Sequence, residues 1–425
     1  MKKVLILTYY WPPAGGSGVQ RWLKFVKYFR DFGIEPIVYT VENPNYPIKD
    51  ESLLKEVPEN IEVLKQPIWE PNNIFKIFNK KKTESAGFLN PNPSVFGKLL
   101  QYIRANYFIP DARKYWVNPS VNYLKKYLKS TKIDVVITTG PPHSLHLIGL
   151  KLKKELNINW IADFRDPWTE IDYFHQLPLT NRAIKRHHFL EKEVLKNANS
   201  VLVVGNTMNQ KYSKFNKNVK TITNGFDGKI KGSEIKLDSE FTLTHIGLMN
   251  ADRNPKILWE VLSEIINENI EFSNDFKLKL IGKVDDSIVH DISKYELTKN
   301  VEFINYVSHN KVIEFQKKAQ VLLLIVNNVP SANQIITGKI FEYLMAKRPI
   351  LAIAPINGDL AEIVNKTNSG FVIGFSERDQ LKKTILDLYS RFKNEKLIVN
   401  SKNIEQFHRR ELTKKVSEII NSIIE

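Results

Sequence analysis

Gly338 to Pro355, GKIFEYLMAKRPILAIAP, sets one glutamate on a short amphipathic stretch directly before an apolar strand. A carboxylate at Glu342 can accept two charge-strengthened hydrogen bonds from vicinal hydroxyls, such as those of a ribose. The preceding PSANQIITGK supplies small, polar residues where a helix N-terminus would present unpaired N–H groups to a diphosphate. Lys339 stands beside Glu342 and can neutralise phosphate. Taken alone, the stretch also reads as an ordinary helix with Ile340, Phe341, Leu344 and Met345 buried and its charges solvated.

Further candidates lie in loops that follow apolar runs, the carboxyl ends at which open parallel sheets bind ligands. YYWPPAGGSGVQRW places Gly15, Gly16 and Gly18 before a helix, and Gly16 can cradle phosphate or serve a turn that needs positive φ. It is not a dinucleotide fingerprint, because Arg21 stands where the third glycine belongs, and no phosphate-binding P-loop follows Gly338-Lys339. In TTGPPHSLHLIG, the two prolines suit a helix start and turn His143 toward a cleft, with His146 on the same side. ADFRDPW gathers Asp163, Arg165 and Asp166 beside Trp168, an arrangement that is costly unless the charges pair internally or are used. HIGLMNADRNPKIL puts Arg253 and Lys256 at a helix start, where the dipole already favours an anion. YVSHN offers backbone groups around Val307 to a nucleobase.

These loops need a scaffold, and the hydropathy supplies one. Strand-like runs (VLILTYY, EPIVYTV, IEVLKQ, DVVITTG, INWIADF, SVLVVG, VKTITNG) alternate with helical periodicity over Val19–Phe32, Val121–Ser130, His146–Leu156 and Leu179–Ala198. The scheme repeats as FTLTHIG, a helix over Pro255–Asn267, FKLKLIG, VEFINYV, a helix near His309–Lys318, VLLLIV, the Gly338 helix and PILAIAP. The alternation predicts two doubly wound α/β lobes joined by GFDGKIKGSEIKLDSE, rich in Gly, Lys and Asp.

At 425 residues the chain is long enough for two domains. It has no cysteine, which excludes disulfides, thiolate nucleophiles and Cys-ligated zinc and is compatible with a cytoplasmic setting. MKKVLILTYYWPP imitates a secretion signal but runs into a glycine loop without a cleavage site, so it reads as a first strand. The net charge of +16 is unevenly spread: residues 71–130 hold eleven basic residues against Glu84 and Asp111, interleaved with eleven aromatics including Phe75, Phe78, Phe88, Phe96, Tyr107, Phe108 and Trp116. That mixture suits an anionic membrane surface, or a solvated face over an aromatic core. No helix-turn-helix or RNA-binding pattern accompanies it, so nucleic acid is not an expected partner.

In this order the pieces resemble the GT-B glycosyltransferases, and more closely retaining family four, the glycosyl transferases group 1. TNGFD at Thr223–Asp227 resembles the family's segment between lobes, and GKIFEYLMAKRPILA its donor-site helix and strand. The resemblance covers essentially the whole chain. It implies two Rossmann-like domains facing a central cleft: an acceptor-side domain over 1–228 with a returning C-terminal helix over 405–425, and a nucleotide-sugar domain over 229–404. It also implies donor-binding roles for Gly16, Arg253, Lys256, Val307, Gln334, Lys339 and Glu342. Members carry two glutamates eight positions apart; here the first is Gln334, which keeps hydrogen-bonding capacity and loses charge. The usual Gly-Arg after the first strand is Gly247-Leu248. Where several members have a loop histidine this chain has Arg165, so the catalytic role passes to Asp163 or to His143 among His143, Asp163, Arg165 and Asp166.

The implied reaction moves a sugar with retention from a nucleoside diphosphate sugar to a hydroxyl acceptor, a saccharide or polyprenyl-linked saccharide of cell-surface polysaccharide synthesis. The leaving diphosphate is met by fixed cations and helix N-termini, with no metal or cofactor required. Localisation would be cytoplasmic, with peripheral association at the inner membrane face. A sugar-nucleotide epimerase and a non-catalytic nucleotide or saccharide binder remain as alternatives.

Overall fold

The computed structural model describes residues 1–70, 95–171, 174–228 and 236–425, which divide into two compact units, Met1–Asn224 with Arg409–Glu425, and Gly225–His408. The units divide after Asn224 and after His408, against the expected boundaries at 228 and 404. Residues 71–94, with Phe75, Phe78, Phe88 and four of the eleven basic residues counted above (Lys76, Lys80, Lys81 and Lys82), lie outside the described residues, as does 229–235 of the proposed linker.

The first unit is built on a parallel sheet of seven described strands: β1 (Lys2–Leu7), β2 (Ile34–Val41), β3 (Glu62–Gln66), β4 (Val135–Gly140), β5 (Trp160–Phe164), β6 (Ser200–Val203) and β7 (Val219–Thr221). Their spatial order is β3-β2-β1-β4-β5-β6-β7. β1 pairs with β2 (Val4 opposite Pro36) and on its other side with β4 (Val4 opposite Val135). Helices cover both faces, which is why the strands are near-continuous apolar runs rather than alternating ones. Alternate residues of β5 serve different cores: Ile161 joins Trp22, Phe25 and Leu145, whereas Trp160, Ala162 and Phe164 join Leu190 and Val194.

The helices of this unit are α1 (Ser17–Phe29), α2 (Val95–Tyr107), α3 (Val117–Ser130), α4 (Ser144–Leu156), α5 (Asn181–Asn197) and α6 (Asn206–Tyr212). The C-terminal helix Arg409–Ile424 also belongs here and seats Leu412, Val416 and Ile420 in the core that α1 lines.

The second unit repeats the design with β8 (Phe241–Ile246), β9 (Phe276–Ile281), β10 (Val301–Ile304), β11 (Val321–Ile325), β12 (Ile350–Ile353) and β13 (Gly370–Ile373), ordered β10-β9-β8-β11-β12-β13 and all parallel. Its helices are α7 (Lys256–Glu268), α8 (Ile270–Asp275), α9 (Asp286–Lys294), α10 (His309–Lys318), α11 (Lys339–Ala346), α12 (Asp359–Thr367) and α13 (Arg378–Lys393), which makes the C-terminal helix α14. Leu323, Ile325, Leu351 and Ile353 pack toward α7 and α13, and Leu322, Leu324, Ile350 and Ala352 toward α11 and α12.

Each sheet reverses its strand order once, between β1 and β4 and between β8 and β11. At such a point neighbouring connections leave toward opposite faces and open a crevice at the carboxyl ends. The loops after β1 and β4 hold Gly16 and His143. Those after β8 and β11 hold Arg253 and Asn327. Topology therefore brings the loops with Gly16, His143 and Arg253 to the switch points, whereas ADFRDPW follows β5 and YVSHN follows β10, away from them.

Candidate functional site

In the second unit, the loop leaving β8 turns at Gly247, whose φ of +112° lies in the left-handed region. Lys339 lies directly over it. A Cβ on residue 247 would stand 2.7 Å from Lys339 Cε and 2.9 Å from its Nζ, so glycine here leaves the lysine room. Lys339 opens α11, and Nζ approaches His245 Nε2 at 3.3 Å. The other ring nitrogen of His245, Nδ1, lies 3.2 Å from the Leu323 carbonyl oxygen. A carbonyl only accepts, so the Nδ1-protonated tautomer satisfies this contact and leaves Nε2 as the acceptor toward the lysine; the Leu248 backbone also bonds to the ring. Tyr343 fixes the helix to both strands: its Oη accepts from Ile246 N (3.3 Å) and donates to Leu323 O (3.4 Å).

Burial, helped by the Arg253 charge and opposed by Glu342, lowers Lys339 to about 7. Burial and then Lys339 hold His245 well below the ordinary imidazole value, so its ring is neutral. Glu342 sits in the first turn of α11, partly buried, and its Oε2 accepts from Gln316 Nε2 at 2.9 Å. Arg253 is held at two points, Nε to Asn327 Oδ1 (2.6 Å) and Nη1 to Leu248 O (3.1 Å). Gln334 is buried at the end of a short 3-10 turn before α11. Lys256 is exposed at the start of α7 and, with Arg253, Asn254, Ser287, His290 and Phe375, lines a pocket of 690 Å³ that neither Lys339 nor Glu342 lines. Val307 is partly buried in the loop between β10 and α10. Lys339, Glu342 and Arg253 thus share one electrostatic neighbourhood, which Lys256 borders only through Arg253.

In the first unit, Gly16 caps α1 with φ +82°, as a turn requiring positive φ demands. The charges of ADFRDPW separate sharply. Asp163 is fully buried and engaged inside the unit: Arg21 Nη2 donates at 2.8 Å, Trp22 Nε1 at 2.7 Å and Thr139 Oγ1 at 2.9 Å. Its carboxylate is the counter-ion of a buried arginine, which corrects its expected place among groups that meet a substrate. Arg165 donates to the carbonyls of Gly18 (2.5 Å) and Pro141, tying the glycine loop to the loop after β4, and burial lowers its pKa. Asp166 is exposed.

His143 and His146 come together as their spacing suggests, with ring centroids 5.8 Å apart, but inside the protein rather than at an open helix end. His143 stacks on Trp168 at 4.9 Å and His146 on Phe164 at 4.4 Å. His146 Nδ1 meets Thr138 Oγ1 at 2.9 Å, while His143 Nδ1 and His146 Nε2 face Gly140 without a hydrogen-bond partner. The open N-terminus of α4 is capped instead by Asp111, which accepts from Ser144 N (2.9 Å) and Ser144 Oγ (2.7 Å). Burial lowers both histidines, His146 to about 3. Among the described residues no three His, Asp or Glu side chains gather as a metal site requires, and no helix is long and apolar enough to cross a membrane.

Residues 240–391 match the family model described as glycosyl transferases group 1. The matched stretch lies wholly within the second unit. No curated protein matches the chain in sequence. Solved structures do resemble it over its length. TarM superposes with a TM-score of 0.61 at 15% identity, covering 99% of each chain, and the lipopolysaccharide outer core galactosyltransferase WaaB with 0.61 at 14%, also covering 99% of each. A putative UDP-N-acetylglucosamine 2-epimerase from Listeria monocytogenes gives 0.56 at 10%, covering 99% of this chain and 96% of its own. At these identities the likeness is one of fold, and the fold is GT-B: two Rossmann-like units, each on a parallel sheet.

Three features of the two units have no local motif in the sequence. Arg21 sits among Val19, Trp22, Leu23 and Phe25 on the apolar face of α1, and an arginine in that setting is itself a sign of a buried acidic partner. His245 ends a strand without any local motif, and only the fold brings Lys339 to it. Arg113 pairs with the buried Glu70 at 2.9 Å and lies 4.7 Å from the centre of the Tyr9 ring, an association between positions far apart in sequence.

Proposed function

We propose that the protein transfers a sugar from a nucleoside diphosphate sugar to a hydroxyl acceptor, with retention and without a metal. The observation that carries this reading is the Lys339–Glu342–Arg253 cluster at the switch point of the second unit. Glu342 keeps one carboxylate oxygen beyond its bond to Gln316 and can accept from ribose hydroxyls. Lys339 and Arg253 supply positive charge where a diphosphate leaves, which stabilises the transition state more than the ground state. Gln334 meets the donor sugar through its amide, and Lys256 reinforces the anion site from the start of α7.

The acceptor is read by the first unit, where Arg165 ties together the loops after β1 and β4 that carry Gly16 and His143. Its partner class is a saccharide or lipid-linked saccharide, taken up at an anionic membrane surface. Here α2 bears on the choice left open above. Val95, Leu99, Tyr102 and Tyr107 are exposed along it, with Trp69 and Tyr115 exposed nearby and Lys98 and Arg104 as its cations, whereas Trp116 is buried against Tyr39. Apolar side chains beside lysine and arginine suit a headgroup boundary. TarM and WaaB share the fold with a 2-epimerase, so the test must separate transfer from epimerisation. Incubating the protein with a nucleotide sugar alone and with a saccharide acceptor, followed by mass spectrometry and NMR of the products, should give a new glycoside only when the acceptor is present. An epimerised donor without acceptor, or tight binding with no turnover, overturns the proposal.

A further inference from the structure

The least expected contact in the donor region is the one beneath Lys339. A lysine beside a phosphate needs no histidine to hold it. Here an imidazole is nevertheless buried at the end of β8, proton on Nδ1 toward Leu323 O, lone pair on Nε2 toward Nζ. We propose that His245 is a positioning residue that holds Lys339 over Gly247, so that binding of a nucleoside diphosphate is accompanied by uptake of one proton onto Nζ. The inference rests on the donor-site reading above.

The surroundings support it from every element packed against the amine. β8 contributes the neutral His245; the following loop brings the Arg253 cation; α11 brings Glu342, and its Tyr343 bonds to Ile246 N and Leu323 O. With burial and Arg253 against it and Glu342 in its favour, the lysine is about half protonated near pH 7 while the site holds no anion. A diphosphate reverses this balance, because a neighbouring anion favours the charged amine, and the proton comes from solvent. The amine therefore has a higher pKa in the complex than in the free protein. Binding must weaken as pH rises above about 7, by up to about tenfold per pH unit while one proton is taken up. A free lysine at a surface, already charged, would leave binding flat over the same range.

The test uses the full chain and isothermal titration with UDP, GDP, ADP and dTDP between pH 7.0 and 8.5, each titration run in two buffers of different ionisation enthalpy to count protons. His245→Asn keeps the bond to Leu323 but is too short to reach Nζ, whereas His245→Gln places an acceptor oxygen near Nε2. Wild type and His245→Gln should take up a proton and lose affinity with rising pH; His245→Asn and Lys339→Met should bind with a flat profile. A role for His245 in packing alone would shift affinity equally at every pH. A flat profile in wild type, or an undiminished slope in His245→Asn, overturns the proposal while leaving the donor site standing. Failure of all four nucleotides to bind wild type overturns the donor site and this inference with it.

Discussion

Asp163 shows how a charge at a strand's carboxyl end can be spent inside the protein. It accepts from Arg21, Trp22 and Thr139 and has no exposure. Removing one partner of such a pair strands the other, at a cost of about 3–5 kcal/mol. Asp163→Ala should therefore lower unfolding free energy by roughly that amount in urea titrations, and a loss within about 0.5 kcal/mol of zero would show the pair to be dispensable. The histidines predict a pH effect of definite sign. Unfolded histidine titrates near 6.5, whereas His146 in the fold titrates at about 3, so between those values the unfolded chain binds more protons than the native one. Stability must fall as pH drops from about 6.5 toward 3, and urea midpoints for wild type and His146→Gln should converge at low pH. Parallel curves would contradict the assignment. Arg165, Glu342 and Lys339 were legible as residues, but their partners were not: the Pro141 carbonyl, Gln316 and His245 are set by strand order, which no local spacing encodes.

Among elements, the long apolar runs and amphipathic stretches were plain because parallel strands covered on both faces leave an unbroken apolar signal. The first twelve strands and the helices α1, α3, α4, α5, α7, α10 and α11 fall where the sequence puts them, with ends shifted by a few residues. β13 was missed; GFVIG is short, begins and ends in glycine, and is a strand only because β12 offers it an edge. The helix α13 carries Leu381, Ile385 and Leu388 at helical spacing and was legible, although the expectations above pass over it. α4 offers a packing test. A Cβ on Gly149 would stand 2.3 Å from Trp160 Nε1, and that indole is held by a 2.9 Å bond to Thr138 Oγ1. Gly149→Ala should destabilise the protein by about 1–3 kcal/mol despite alanine's higher helix propensity, read as a lower melting temperature. An unchanged or higher melting temperature would show that Trp160 can move.

For the whole molecule, charge and topology were readable early and the ligand was not. The alternation of runs implied two α/β units, and the carboxyl-end rule pointed to five loops, of which the two sheets bring three, those after β1, β4 and β8, to their switch points. The uneven charge has a counterpart in α2, whose exposed apolar residues stand beside Lys98 and Arg104. Flotation with vesicles containing anionic lipid should recover wild type at low salt and markedly less of a Lys98→Glu/Arg104→Glu/Leu99→Ser variant; equal recovery of both would exclude α2 as the contact. The base, sugar and acceptor depend on side-chain placement at a resolution that periodicity lacks. Glu342, inside the stretch that matches the family model, is the group proposed to grip the nucleotide. Calorimetric titration of wild type and Glu342→Ala with UDP, GDP, ADP and dTDP tests this directly. One of them should bind wild type and lose at least about tenfold in affinity, roughly 1.4 kcal/mol, in the variant, and equal affinity in the two proteins would contradict it.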